Sequence, residues 1–212
     1  MKILIAVPTF ENIFPDTFKS IYDLDVSGHD VDFEFVRGYD CAKARNRIAN
    51  MAIDRKADYV LMVDNDVVLP KDALCNLLDG GKEVVFGYCA HRGAGNIYDG
   101  MTTVFRLYDD NGNAYFSYPK ESMYSGQELK KFCEDGNHKI QVHGAGTSCV
   151  IIKTDVFQKI KYPWFKWVEY DKKRQLSEDL YFCSQCKKAK IPMFVDSRVS
   201  CGHIFRHTQY TN

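Results

Sequence analysis

Two apolar patterns alternate along the first third of the chain. Unbroken apolar runs at residues 3–7 and at Tyr59–Val63 are typical of strands buried on both faces of a parallel sheet. Residues 14–24 and 42–55 instead carry apolar side chains three or four positions apart, which predicts amphipathic helices. This alternation favours an α/β protein with a mixed, mainly parallel sheet flanked by helices.

The rest of the chain continues the pattern and adds one interruption. Strands are predicted at residues 83–88, 149–152 and 193–195, and helices at residues 70–78, 125–133, 154–160 and after Ser177. Asn111-Gly112, between apolar segments 102–108 and 114–118, predicts a small antiparallel hairpin insertion. Residues 143–148 and the tail from residue 201 are predicted as loops. No linker or repeat is found, so residues 1–212 are expected to form a single domain.

Composition narrows the class of protein only slightly. Lys and Arg number 28, as do Asp and Glu, so no overall charge favours nucleic acid or a membrane surface. No apolar run approaches the length of a membrane span, and the N-terminal apolar run is too short for a signal peptide. The eight cysteines are therefore expected to be reduced thiols in a soluble, cytoplasmic protein.

The strongest chemical signal follows the buried strand at Tyr59–Val63. Asp64 and Asp66 flank Asn65 there, and ligands of α/β proteins bind beyond the carboxyl ends of parallel strands. Two carboxylates at such a position suit a hard divalent cation that also holds phosphate oxygens. The alternative is an ordinary polar turn, because Asp and Asn are common turn residues.

The order of motifs resembles the GT-A fold nucleotide-sugar glycosyltransferases, particularly family 2-like members, over nearly the whole chain. The resemblance is carried by Pro8-Thr9, the Arg37 turn, Ala44-Arg45-Asn46, Asp64-Asn65-Asp66, the Gly144–Thr147 segment, Trp164-Phe165, Glu178-Asp179 and a late His203. The chain also looks close to the amino-terminal glycosyltransferase domain of a larger chlorella-virus protein, which implies a viral protein fused to further domains.

This resemblance implies a metal-dependent, inverting transfer from a nucleoside diphosphate sugar, such as UDP-glucose, to a hydroxyl of a glycan or glycoprotein. The N-terminal part would bind nucleotide and the C-terminal part acceptor. The implied roles are Mn²⁺ or Mg²⁺ binding by Asp64, Asp66 and His203; nucleotide binding by Pro8, Thr9, Arg37, Asp40, Arg45, Asp64 and Asn65; sugar or acceptor binding by Gly146, Thr147 and Trp164; and base catalysis by Asp179 or Glu178.

Each role has a simpler alternative. Glu178 and Asp179 are favourable charges in the first turn of any helix, Arg45 could be a solvated helix residue, Trp164 a core residue, and Gly146-Thr147 a turn. Cys183, Cys186, Cys201 and His203 could instead form a zinc site, although Cys183 falls on the apolar side of a helical pattern.

Two other functions also remain open at this stage. One is a nucleotide-sugar-binding module without turnover, as part of a multidomain protein. The other is a nucleotidyltransferase, which is disfavoured because no Gly-rich loop with Arg or Lys follows the first strand.

Overall fold

The computed structural model describes residues 1–90, 100–107, 122–171 and 174–204, and it confirms a mixed α/β architecture. The strands are β1 (Lys2–Thr9), β2 (Asp30–Arg37), β3 (Tyr59–Val63), β4 (Val67–Val68), β5 (Val84–Cys89), β6 (Met101–Phe105), β7 (Met123–Ser125), β8 (Lys139–Val142), β9 (Gly144–Ala145), β10 (Cys149–Lys153), β11 (Val168–Asp171), β12 (Arg174–Leu176) and β13 (Met193–His203). The helices are α1 (Pro15–Tyr22), α2 (Cys41–Asp54), α3 (Ala73–Leu78), α4 (Gly126–Glu134), α5 (Val156–Lys159) and α6 (Glu178–Lys188).

The main sheet has the order β2-β1-β3-β10-β5-β13-β4, and β8 pairs with β13. Within the described ranges, five of its eight strands run in one direction, namely β1, β2, β3, β5 and β13. β10 lies between β3 and β5 and is antiparallel to both. The carboxyl ends of the five co-directional strands therefore meet at one edge of the sheet.

Both faces of the central strands β1, β3 and β10 are buried, as the unbroken apolar runs predicted. Alternate residues of each central strand face opposite ways, so Leu4 and Met62 pack with α2 and α6, whereas Ile5 and Leu61 pack with α1 and α3. The predicted strand at Tyr59–Val63 is confirmed with all five residues buried.

A small three-stranded antiparallel sheet, β7-β6-β9, lies beside the main one. The first strand of the predicted hairpin corresponds to β6, which pairs with β7 and β9. The Asn111-Gly112 turn and the strand predicted at residues 114–118 lie outside the described residues.

Two segments predicted as loops contain strand residues in the described structure. Residues 146–148 are loop or turn as predicted, and residues 205–212 of the predicted tail loop lie outside the described residues. Residues 143–147 are buried and include β9, because the edge of β6 supplies hydrogen-bond partners: His143 N–H donates to Phe105 O and Gly146 N–H to Thr103 O. Cys201, Gly202 and His203 continue β13, because β4 pairs with its polar end. The pairing register of β13 on β5 also changes between Val195 and Ser200. This change interrupts the periodic pattern on which the sequence prediction depended.

None of the helices among the described residues is long and apolar enough to cross a membrane.

Candidate active site

A cavity of about 220 Å³ opens at the carboxyl edge of the main sheet. It gathers seven of the residues singled out in the sequence: Arg45, Asp64, Gly146, Thr147, Glu178, Asp179 and His203. The common direction of β3 and β13 explains why Asp64 and His203 meet there although they are far apart in sequence.

Asp64 is fixed by both its backbone and its side chain. Its N–H donates to Ser148 O at 2.9 Å, and Arg45 Nη2 donates to Asp64 Oδ1 at 2.7 Å. Burial raises the pKa of the Asp64 carboxyl, although the Arg45 guanidinium opposes this shift. No hydrogen bond from the described residues occupies Asp64 Oδ2, so this oxygen remains open to a ligand.

Asp66 and His203 form the second part of the site. His203 Nε2 lies 3.3 Å from Asp66 Oδ2, and Ile204 N–H donates to Asp66 O at 2.9 Å. The hydrogen bond to Asp66 raises the pKa of the His203 imidazole, against the opposing effect of burial. The pairing of β4 with the end of β13 sets this contact.

Arg45 lies beneath the cavity between two carboxylates. Only 3% of its side chain is exposed, and its Nη1 donates to Glu178 Oε1 at 2.7 Å while Nη2 reaches Asp64. Burial raises the pKa of Glu178, and Arg45 opposes that shift. Arg45 is thus a buried ion-pair residue, and the solvated-helix alternative is wrong. Glu178 is held in this pair.

Asp179 follows Glu178 in the first turn of α6 but has a different environment. The Ser177 hydroxyl and the Leu180 N–H both donate to Asp179 Oδ1, the latter at 2.7 Å. Asp179 Oδ2 lies on the Gly146 side, 3.4 Å from where a Cβ would stand on that glycine. Ser177 occupies the N-cap position, yet its hydroxyl orients Asp179 instead of capping a backbone N–H.

Gly146 and Thr147 shape the wall next to Asp179. A Cβ on Gly146 would lie 2.6 Å from Thr103 Oγ1, so only glycine fits this position without a shift. The Thr147 hydroxyl is buried and has no hydrogen-bond partner among the described residues. A buried hydroxyl without a partner is costly, and Thr147 lines the cavity.

Other predicted nucleotide-binding residues lie outside the cavity lining. Asn65 Nδ2 donates to Asn12 O at 2.7 Å and to Thr9 Oγ1 at 3.4 Å, so it braces the loop after β1. Asp40 is the N-cap of α2, where its Oδ1 accepts from Lys43 N–H at 3.0 Å. Pro8 and Arg37 lie on β1 and β2, at the same edge of the sheet.

Trp164 does not reach the cavity. It is 6% exposed, and its indole N–H donates to Phe157 O at 2.8 Å. The core alternative is therefore the one that the structure shows for Trp164.

The donor set of the cavity can be compared with the requirements of a divalent cation. Among the described residues, no three His, Cys, Asp or Glu side chains converge as ligands of one metal ion. Asp66 and His203 come together, while Arg45 holds one oxygen of Asp64. Mg²⁺ is commonly bound by one or two carboxylates together with substrate phosphates, without a closed protein cage. The residues present fit a cation of that kind.

The alternative zinc set is not assembled. Cys183 and Cys186 pack in the core on one face of the sheet, whereas Cys201 packs on the other. Their side chains therefore cannot share one ion with His203, and the zinc hypothesis is wrong.

Sequence reasoning missed several residues of the cavity wall: Cys41, Cys89, Ala90, Thr103 and Ser148. Ser148 adjoins the Gly144–Thr147 segment that had been singled out. The other four lie in ordinary helix or strand patterns and carry no sequence signal of a site.

Comparisons with known proteins agree with this architecture. No protein-family model and no curated protein matches the sequence. Among solved structures, A197 from STIV aligns with a TM-score of 0.62 at 19% identity, covering 97% of this chain and 87% of that one. GalNAc-T7 with UDP, GalNAc and Mn²⁺ aligns with a TM-score of 0.58 at 11% identity, covering 96% of this chain and 44% of that one.

A Drosophila β-1,4-galactosyltransferase 7 variant, in complex with manganese, UDP-Gal and xylobiose, aligns with a TM-score of 0.50 at 14% identity. That alignment covers 100% of this chain and 74% of the other. The chain has a GT-A fold. At these identities the similarity extends to the fold alone, and it does not support the closer resemblance to a chlorella-virus protein.

Proposed function

We propose that this GT-A chain is a metal-dependent glycosyltransferase. It transfers a hexose from a nucleoside diphosphate sugar, with a UDP-sugar such as UDP-glucose as the first candidate, to a hydroxyl of a glycan or glycoprotein acceptor. Residues 1–212 act as one domain in the cytoplasm, with nucleotide bound by the N-terminal part and acceptor by the C-terminal part.

One observation carries the proposal: the cavity places Asp179 beside an excess of carboxylates that a cation would offset. Asp64, Glu178 and Asp179 line it, Asp66 adjoins it through His203, and Arg45 is the one guanidinium among them in the described part of the chain. Two GT-A neighbours were solved with Mn²⁺ and with UDP or UDP-Gal, which supports the same class of ligand here.

The chemistry assigned to these residues is an inverting displacement. The oxygen of the acceptor hydroxyl bonds to the anomeric carbon of the donor sugar. As it does so, Asp179 Oδ2, next to Gly146, accepts the proton of that hydroxyl. The bond to the diphosphate breaks, and the nucleoside diphosphate leaves with the bonding electrons. Asp64, Asp66 and His203 are the residues that would hold a divalent cation together with the donor phosphates, and the ion would stabilise charge on the leaving diphosphate.

Donor binding that depends on a cation is the first expected outcome. We expect calorimetry with UDP-sugars to show binding in Mn²⁺ and none after chelation, because Arg45 and His203 are the basic residues that line the cavity in the described part of the chain, and Arg45 is already paired. A thermal-shift screen over nucleotides and sugars would identify the donor, since ligand binding raises the melting temperature. Equal affinity with and without chelator would remove the metal from the proposal.

Replacement of the proposed base is the second expected outcome. Asp179→Asn keeps the side-chain shape and should lower turnover about 10²–10⁴-fold, the usual contribution of a positioned general base. Donor affinity should change little. Turnover is measured with the donor found in the screen, and NMR of the product gives the anomeric configuration. Retention of the donor configuration, or turnover close to wild type, would overturn this assignment.

A further inference from the structure

A single buried guanidinium joins the two carboxylate groups of the cavity. Arg45 on α2 donates through Nη1 to Glu178 Oε1 and through Nη2 to Asp64 Oδ1, both at 2.7 Å. Glu178 is 6% exposed and starts α6, whereas Asp64 follows β3. The contact therefore links three elements that are distant in sequence.

We propose that Glu178 is a positioning residue that acts through Arg45 to orient Asp64 toward the cation. This inference rests on the proposed function, because it takes Asp64 as a ligand of the divalent ion. Glu178 anchors one arm of the Arg45 fork, so the other arm has a fixed direction. That arm holds Asp64 Oδ1 and leaves Oδ2 directed to the cation.

The geometry of the guanidinium explains why this position needs arginine. Its planar fork presents two N–H groups in fixed relative directions, which a lysine ammonium on a flexible stem cannot do. Hydrogen bonds behind a metal-binding carboxylate orient it, and their loss typically costs about 10–100-fold in metal affinity. Burial of Arg45 strengthens the effect, because a buried charge left without its partner is strongly unfavourable.

The same geometry separates the roles of two adjacent carboxylates. Glu178 is buried and bonded to the Arg45 guanidinium. It is therefore poorly placed to take a proton from the hydroxyl of an acceptor sugar. Asp179 is bonded to Ser177 and Leu180 through one oxygen and has the other directed to Gly146. Because the two residues are consecutive, the Arg45 contact that orients Asp64 also fixes the turn of α6 that carries Asp179.

The affinity for Mn²⁺ alone tests this inference without any turnover assay. Bound and free Mn²⁺ are measured by electron paramagnetic resonance on the full chain, and denaturant unfolding confirms that each variant is folded. We expect Glu178→Gln to raise the Mn²⁺ dissociation constant about tenfold or more. Asp179→Asn is the comparison for charge alone, because it removes the same charge from the same helical turn without breaking a bond to Arg45, and it should have the smaller effect.

Arg45→Lys provides a second variant that preserves charge and does not depend on the stability of Glu178→Gln. The variant keeps the positive charge of the side chain, but a lysine cannot hold both carboxylates. It should therefore weaken Mn²⁺ binding to a similar extent. In the Arg45→Lys background, Glu178→Gln should add little, because residues that act through one contact are not additive.

Two results would overturn the inference and leave the proposed function standing, and a third would overturn both. If Glu178→Gln and Asp179→Asn have equal effects on Mn²⁺ affinity, Glu178 acts only by charge. If Glu178→Gln keeps Mn²⁺ affinity but loses turnover, Glu178 is itself the base. If the wild-type chain does not bind Mn²⁺ at millimolar concentration, the cation site and its positioning by Glu178 are both wrong.

Discussion

At the scale of single residues, His203 gives the cavity its sensitivity to pH. The hydrogen bond to Asp66 raises the pKa of its imidazole above the ordinary value of about 6.5. A group whose pKa is raised by folding contributes stability below its unfolded pKa, and this contribution is lost as pH rises through the folded pKa. In metal-free protein, the Asp66–His203 pair should therefore stabilise the fold in mild acid and lose that effect in mild alkali.

The variant His203→Ala tests this dependence. Measured by urea unfolding in chelator, wild type should exceed His203→Ala in stability at pH 5.5, with the gap closing toward pH 8.5. Mn²⁺ affinity should change in the opposite direction and rise with pH, because a metal ligand must be the neutral imidazole. Asp66→Asn should remove the same pH-dependent stability. A gap that does not change with pH would contradict this account.

How far the sequence predicted the site can be judged from individual residues. Asp64 was singled out because it follows a buried strand, His203 because it lies late in the chain, and Asp179 because it lies in the first turn of a helix. All three line the cavity. The partner of Glu178 was not predictable, because Arg45 lies 133 positions away and only the fold brings them together. The buried position of Trp164 was also left open, since an aromatic loop has the same composition whether it is buried or exposed.

At the scale of secondary-structure elements, Asn46 joins α2 to the aromatic segment around Trp164. Its Nδ2 donates to Ala42 O and Phe165 O, and its Oδ1 accepts from Trp164 N–H at 2.9 Å and Phe165 N–H at 3.2 Å. One buried amide therefore satisfies four backbone groups. Ala42 O lies within α2 and keeps its helical partner, so removal of the amide leaves three groups, on Trp164 and Phe165, without this partner in the core.

Replacement of Asn46 by alanine should destabilise the protein strongly. Each buried polar group left unpaired costs about 1–3 kcal/mol, so Asn46→Ala should lower the free energy of unfolding by at least about 3 kcal/mol. Asn50→Ala is the control on the same helix, because within the described residues its amide makes one hydrogen bond, to Asn46 O at 3.2 Å. Denaturant unfolding measures both variants, and equal losses would show that Asn46 is not the link.

Helices and strands were predicted accurately where their apolar residues recur at a constant period along the sequence. β3 and α2 were predicted within a few residues, because both are buried by apolar faces of constant period. β13 was predicted to be too short, because its C-terminal half contains Ser200, Gly202 and His203 and is stabilised by pairing with β5 and β4. Such pairing depends on tertiary structure, which local periodicity does not report.

At the scale of the whole molecule, the fold class followed from the order of elements, but the sheet topology did not. Buried strands and intervening helices predicted a mainly parallel sheet, and five of the eight strands that the main sheet has among the described residues are co-directional. The position of β10, antiparallel between β3 and β5, was not predictable. Its apolar residues have the same pattern in either direction, so periodicity cannot set its orientation.

A buried ion network ties the far part of this sheet together. Asp196 on β13 has a fully buried side chain, and it is bonded to Lys139 on β8 and, at 2.7 Å, to Arg198 Nη2. Arg198 also reaches Asp79, whose side chain is 61% exposed, at 3.0 Å. Burial raises the pKa of Asp196, but hydrogen bonds from Arg198 and Lys139 outweigh it, so the net shift is downward.

Neutralisation of Asp196 should therefore weaken the entire sheet. A carboxyl whose pKa is lowered by folding contributes stability above its unfolded pKa, and this contribution is lost as pH falls through the folded pKa. Asp196→Asn should cost about 3–5 kcal/mol near neutral pH, because Lys139 and Arg198 lose their buried partner. The difference from wild type should narrow in acid, below about pH 4.

The matched control for this network is Asp79→Asn, which removes a carboxylate from the same arginine at the protein surface. Exposed pairs contribute about 0–1 kcal/mol, so its free energy of unfolding should stay close to wild type at every pH. Mn²⁺ affinity should be unchanged in both variants, because neither residue lines the cavity. An Asp196→Asn variant as stable as Asp79→Asn would show that strand pairing and apolar packing hold β8 against β13 without the ion network.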